Sequence, residues 1–102
     1  MIPPLPSRLG KKTVTKAIDG SEMAFTVIDE IIFVASSNPE KAFCLHKFRH
    51  ETDGREEIRI GYYMIAHKPR MQGKWAWGQY APFMTKEEMS EIFKSAKAKG
   101  WI

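Results

Sequence analysis

From Ile58 to Lys86 the chain carries no acidic residue, yet it places five cations there: Arg59, Lys68, Arg70, Lys74 and Lys86. Half of its aromatic residues fall in the same span: Tyr62, Tyr63, Trp75, Trp77, Tyr80 and Phe83. Cations interleaved with flat rings are what an extended, unpaired polyanion requires, since cations meet phosphates and π-faces meet bases. The same residues also suit two ordinary buried strands joined by a basic turn, with Trp75 and Trp77 filling a core. A second cluster, His46, His50, Glu51, Asp53, Glu56 and Glu57, has the residue types of a divalent-metal site. Its geometry depends on the local structure. On a strand His46 and His50 share a face about 13 Å apart, too far for one ion, whereas on a helix they would be adjacent. No metal site and no cofactor are expected. Cys44 and His46 do not form an activated nucleophile on a strand, because alternate side chains stand about 7 Å apart. No P-loop, dinucleotide fingerprint or nucleophile elbow is present, so a binding role is expected rather than catalysis.

The elements that must position these residues follow from patterning. Pro3, Pro4 and Pro6 forbid a helix, and residues 1–12 read as a flexible proline-rich arm ahead of a single domain over 13–102. Thr13 to Ile18 and Met23 to Ile28 read as strands around an Asp19-Gly20 turn. Asp29-Glu30 interrupts the pattern, and Ile31 to Val34 is an apolar run suited to a buried strand. Ser37-Asn38-Pro39-Glu40 resembles a helix start. The Thr52-Asp53-Gly54-Arg55 turn, however, precedes a clean alternation of Ile58, Ile60, Tyr62, Met64 and Ala66, and a hairpin then needs Phe43 to His50 as its partner strand. The strand reading is preferred. Lys68-Pro69 and Gly73 mark a loop, and Lys74 to Ala81 is the next strand, with Trp75, Trp77 and Gln79 on one face and Ala76, Gly78 and Tyr80 on the other.

The C-terminal helix is the most explicit element. Thr85 and Glu88 form a capping box, Glu87 and Glu88 oppose the helix dipole, and Met89, Ile92, Phe93 and Ala96 make an apolar stripe. Gly100 supplies a left-handed stop, which predicts a helix from about Lys86 to Lys99 with Trp101 folding back. The expected fold class is therefore α+β: an antiparallel sheet of five to six strands with one amphipathic helix packed on one face. One helix leaves the other sheet face free for a ligand or a second subunit.

At 102 residues, 43% hydrophobic and 27% charged, the composition is that of a globular domain. The net charge is +4, and the acid-free stretch accounts for all of it, which makes the charge a localised patch. Cys44 is the only cysteine, which excludes an intrachain disulfide and a multi-thiolate zinc site and fits a cytoplasmic compartment. No signal peptide and no membrane span are expected.

From Cys44 to Lys97 the chain resembles single-strand-binding domains of the transcriptional-positive-cofactor and Whirly type. The resemblance lies in the alternating Glu57-Ile58-Arg59-Ile60-Gly61-Tyr62-Tyr63, the Lys-Pro and Gly-Lys loop, the strand after it, and Thr85-Lys86-Glu87-Glu88 opening the helix. It covers half the chain and is one of pattern; the N-terminal strands and the two neighbouring tryptophans depart from it. It implies a basic, aromatic antiparallel sheet that binds single-stranded nucleic acid, with dimerisation through the helix. The residues expected at that interface are Tyr63, Trp75 and Trp77 for stacking and Arg59, Lys68, Arg70 and Lys74 for phosphates. The competing expectation is a protein-interaction or homo-oligomeric module with no nucleic-acid activity.

Overall fold

The computed structural model describes residues 3–78 and 81–102. Five strands and one helix follow in chain order: β1 (Lys12–Lys16), β2 (Glu22–Ala35), β3 (Asn38–His50), β4 (Glu56–Ile65), β5 (Trp75–Trp77) and α1 (Lys86–Ala98). The strands hydrogen-bond in the order β1-β2-β3-β4-β5, so each one lies beside its neighbours in sequence. Connections this short leave no room for a crossover. β1 and β2 pair antiparallel with Thr13 opposite Phe25, and β4 and β5 with Tyr63 opposite Trp77. The fold class is α+β: a five-stranded antiparallel sheet followed by one C-terminal helix.

Two sequence expectations about strands change. Residues 31–34 are not a separate strand, because β2 runs unbroken through Asp29 and Glu30. Both carboxylates have hydrogen-bond donors there: Glu30 accepts from the Ser7 hydroxyl and, at 3.2 Å, from the Arg8 backbone N–H, and Asp29 Oδ1 accepts from the Glu30 N–H at 2.9 Å. β5 covers only Trp75–Trp77 rather than Lys74 to Ala81; the expected faces of Gln79 and Tyr80 lie outside the described residues. Ser37-Asn38-Pro39-Glu40 starts a strand, as preferred, with Asn38 Oδ1 accepting from the Glu40 N–H at 2.9 Å in a local turn. The five successive residues Ala42 to His46 are all buried, so this stretch of β3 presents neither side to solvent.

The chain separates into two compact units. In the one holding 31–45 and 60–78 together with α1, Ile31, Ala35, Phe43 and Leu45 pack with Ile92 and Ala96 of the helix, and Phe33, Tyr62, Met84 and Trp101 close its edges. In the other, formed by 7–30 and 46–59, Phe25 and Val27 are buried, and the Phe25 ring centroid lies 4.3 Å from that of Phe48 and 6.4 Å from that of His50.

α1 begins with the expected capping box. Glu88 N–H donates to Thr85 Oγ1 at 3.0 Å, and Thr85 N–H donates to Glu88 Oε1 at 2.8 Å. The same carboxylate reaches further: its Oε2 accepts from Ser37 Oγ at 3.1 Å, from Ser37 N–H at 3.3 Å and from Ser36 Oγ at 3.3 Å. Glu88 is only 1% exposed. The buried stripe of α1 is consequently Glu88, Ile92 and Ala96, at i, i+4 and i+8. Met89 and Phe93 sit one residue, about 100°, further round the helix and are exposed, contrary to the expected stripe. At the other end Gly100 adopts φ +75°, and Trp101 N–H donates to Ala96 O at 2.9 Å, turning Trp101 back onto the core.

Donors from the cap and from Ser37 hold the Glu88 carboxyl at a pKa of about 2, below its ordinary 4.5, despite burial acting the other way. A depressed carboxyl contributes stability that is complete above its unfolded value and disappears as pH falls from there towards the folded one. Glu88→Gln should therefore lose stability at pH 7, by roughly 1–3 kcal/mol. The gap between wild type and Glu88→Gln should narrow as pH drops from about 5 to about 2, measured by urea denaturation across that range.

Candidate nucleic-acid interface

The pairing of β4 with β5 sets Tyr63 opposite Trp77 and Ile65 opposite Trp75. Strand alternation then groups Gly61, Tyr63 and Ile65 with Trp75 and Trp77 on one side, and Tyr62 and Met64 with Ala76 and Gly78 on the other. Tyr62 packs on the helix-covered core, so both tryptophans occupy the side away from it. Two ring-on-glycine contacts lock this ribbon, one on each side. A Cβ at Gly61 would lie 2.3 Å from Cη2 and 2.8 Å from Cζ2 of Trp77; at Gly78 it would lie 2.2 Å from the Tyr62 ring. Only glycine lets each ring lie directly on the opposing backbone. The Trp77 ring also meets Tyr63 edge-on, with centroids 5.2 Å apart and planes at 78°.

The seven expected interface residues separate by role. Trp77 remains 40% exposed. Tyr63 is 5% exposed and acts as the wall against which Trp77 rests, with no open ring face for a base. Trp75 is half-buried, and its indole Nε1–H donates to Pro3 O at 3.1 Å. Lys68, Arg70 and Lys74 are exposed on the β4–β5 loop, and none of them is in an ion pair among the described residues. Backbone bonds close that loop: Gly73 N–H and Lys74 O both bond Ala66 at 2.9 Å, and Met71 bonds Lys68 O at 3.1 Å and receives Lys74 N–H at 2.9 Å. The cations thus project from an ordered turn. His67 pairs with Glu40, Nε2 to Oε1 at 3.0 Å. A shallow depression of about 380 Å³ is lined by Tyr62, Met64, Ala66, Ala76 and Gly78, which share the Tyr62 side of the ribbon, and by His67, Lys68 and Trp77.

Arg59 has a different assignment. It lies in the other unit, where its Nη2 donates to His46 Nδ1 at 2.9 Å and its guanidinium carbon stands 5.4 Å from the Phe25 ring centroid. His46 is fully buried, with Nε2 3.8 Å from Glu30 Oε2. Burial first, then Arg59 and more weakly Arg8, outweigh the attraction of Glu30 and push its pKa down to about 4. His46 is therefore neutral at pH 7; accepting from Arg59 at Nδ1 leaves its proton on Nε2, the nitrogen nearer Glu30. The four-position separation of His46 and His50 on strand β3 keeps them apart, and His50 Nε2 instead pairs with Glu57 Oε1 at 2.5 Å. Among the described residues no group of three His, Cys, Asp or Glu is arranged to hold a metal ion. Nor, among them, is any helix long and apolar enough to cross a membrane.

Sequence reasoning missed both devices that organise these surfaces. The Arg59–His46 contact carries no local signal, since the residues are 13 positions apart. The ring-on-glycine pair had a faint one: Gly61-Tyr62 and Trp77-Gly78 are reversed copies of a glycine–ring dipeptide, which antiparallel pairing brings into register. Comparison with known protein families, characterised proteins and solved structures finds nothing that matches this chain.

A buried histidine with a depressed pKa makes the fold less stable as acid is added, because the unfolded chain binds the proton first. Stability should decline from pH 6.5 towards pH 4 by roughly 2–3 kcal/mol on this account. His46→Gln should flatten that part of the curve, as read by chemical denaturation at half-unit pH steps; an unchanged slope would contradict the assignment.

Proposed function

We propose that this protein binds single-stranded nucleic acid without catalysis, through Trp77 and the cationic β4–β5 loop. The observation that carries this reading is the exposed ring of Trp77, seated on Gly61, on the strand that the closed cationic loop of Lys68, Arg70 and Lys74 leads into. Trp77 is exposed yet fixed, seated on Gly61 and braced by Tyr63. A ring held in this way stacks a base at little cost in side-chain entropy. The loop cations supply the phosphate contacts. In this reading Arg59 and Tyr63 are supporting residues rather than contacts, since one is engaged by His46 and the other is buried.

Short single-stranded oligonucleotides should quench tryptophan fluorescence, with affinity falling as salt rises. Trp77→Ala should cost roughly 1–3 kcal/mol of binding, and Gly61→Ala should act in the same direction by lifting the ring. Replacing Lys68, Arg70 and Lys74 together by Ala should flatten the dependence of log K on log salt by about 2, at roughly 0.7 per phosphate contact. Absence of quenching, or quenching indifferent to salt, would sink the proposal.

A second reading, self-association, is favoured by one observation. Phe93 is 55% exposed and Met89 38% exposed, one turn apart on α1, on a helix whose core contacts are made by other residues. On that reading light scattering finds a dimer that Phe93→Glu dissociates; a monomer at all concentrations would dismiss it.

A further inference from the structure

Trp75 shares a face with Trp77, but its polar group is directed elsewhere. Its indole Nε1–H donates to the backbone carbonyl of Pro3 at 3.1 Å. The segment that supplies the acceptor is Pro3-Pro4-Leu5-Pro6. Every residue in it is biased to the polyproline II conformation, either by its own ring or by preceding a proline. That helix has three residues per turn and no internal hydrogen bonds, so its carbonyls are free to accept. The Pro3 carbonyl also belongs to a tertiary amide, since it precedes Pro4, and is a strong acceptor.

Burial along the segment has the same period. Pro3 and Pro6 are half-buried, whereas Pro4 and Leu5 are exposed. Contact at i and i+3 with two exposed residues between them is how a three-residue helix lies along a surface. The segment belongs to the same compact unit as β5, whereas Ser7 and the residues after it belong to the other unit.

We infer that the surface around Trp75 is a docking site for a proline-rich peptide in the polyproline II conformation, occupied here by the chain's own Pro3–Pro6. An indole N–H bonded to a carbonyl of the ligand is a contact suited to a peptide in this conformation, whose carbonyls have no internal partners. Tethering gives the resident segment an effective concentration in the millimolar range. A peptide supplied in trans must therefore compete with it, and the site accepts an external ligand well only when the resident segment is weakened. This site is separate from the nucleic-acid proposal, which depends on Trp77 and the loop cations.

The test uses the full chain, ¹⁵N-labelled, with its three indole N–H resonances assigned through single Trp→Phe variants. In the Pro3→Gly/Pro6→Gly chain the Trp75 indole resonance should shift and lose its protection from exchange. A hexapeptide with the sequence of residues 3–8 should return it to the native position, binding at least tenfold more tightly than it binds the unsubstituted chain. The same peptide with glycine at its three proline positions should fail to do so. An indole resonance unmoved by the double substitution overturns the inference. So does a native peptide that does not restore it, or a glycine peptide that binds equally well. Should the double variant lose its dispersed amide spectrum, Trp75→Phe gives the second readout. Loss of the indole donor in this variant should sharply lower the heteronuclear NOE of the Leu5 amide, and an unchanged value refutes the docking.

Discussion

A single buried carboxylate ties the helix to the sheet. Glu88 caps α1 through Thr85 and, with its second oxygen, gathers the Ser36 and Ser37 donors of the β2–β3 turn. No basic side chain appears among these partners; hydroxyls, the two backbone amides of Ser37 and Thr85 and the positive end of the helix together stabilise the charge. Because it sits at 1% exposure, no solvent replaces a partner that is lost. Helix rotation follows from this anchorage. With Glu88 facing the turn, Ile92 and Ala96 must face the core, and Met89 and Phe93 are carried outward.

The β4–β5 ribbon relies on a different principle, the removal of side chains where rings must lie. Gly61 and Gly78 each receive the ring of a residue across the pair, and the two contacts fall on opposite sides. A three-residue strand offers few ladder bonds, so these contacts, with Tyr63 against Trp77, supply much of what holds β5 in register. In the other unit a neutral histidine takes the role of fixing an arginine. Arg59 lies against Phe25 and donates to His46. Depressing the imidazole pKa is the consequence of placing it in the interior beside that cation.

Much of this was legible because local chemistry specified it. The Thr85–Glu88 box, the Gly100 stop and the turn around Asp53-Gly54 depend on residues within a few positions of one another, and all appear where their patterns place them. β3 was legible for a less direct reason: a hairpin turn without a preceding strand would have had nothing to join. Failures came where a distant partner decided the outcome. Asp29-Glu30 looked like a break because its charges had no visible use, yet Ser7 and Arg8 supply one from over 20 residues away. The capping role of Glu88 is legible from Thr85, but its burial is not, since a buried glutamate is rare; only the β2–β3 turn explains it. Arg59 and Tyr63 had the right residue types for an interface, but alternation alone does not reveal whether a position is covered.

Seating Trp77 on Gly61 has an evolutionary consequence. A strand glycine left bare is a weak point, and here the ring that covers it is also the one exposed for contact. Descendants of this chain that abandoned every ligand would remain under selection to keep an aromatic residue at position 77, for the sake of the ribbon alone. Conversely, drift at position 61 towards any larger residue would displace the ring before it touched a ligand. The two positions are bound to change together or not at all, and persistence of the tryptophan across relatives would by itself testify to architecture rather than to use.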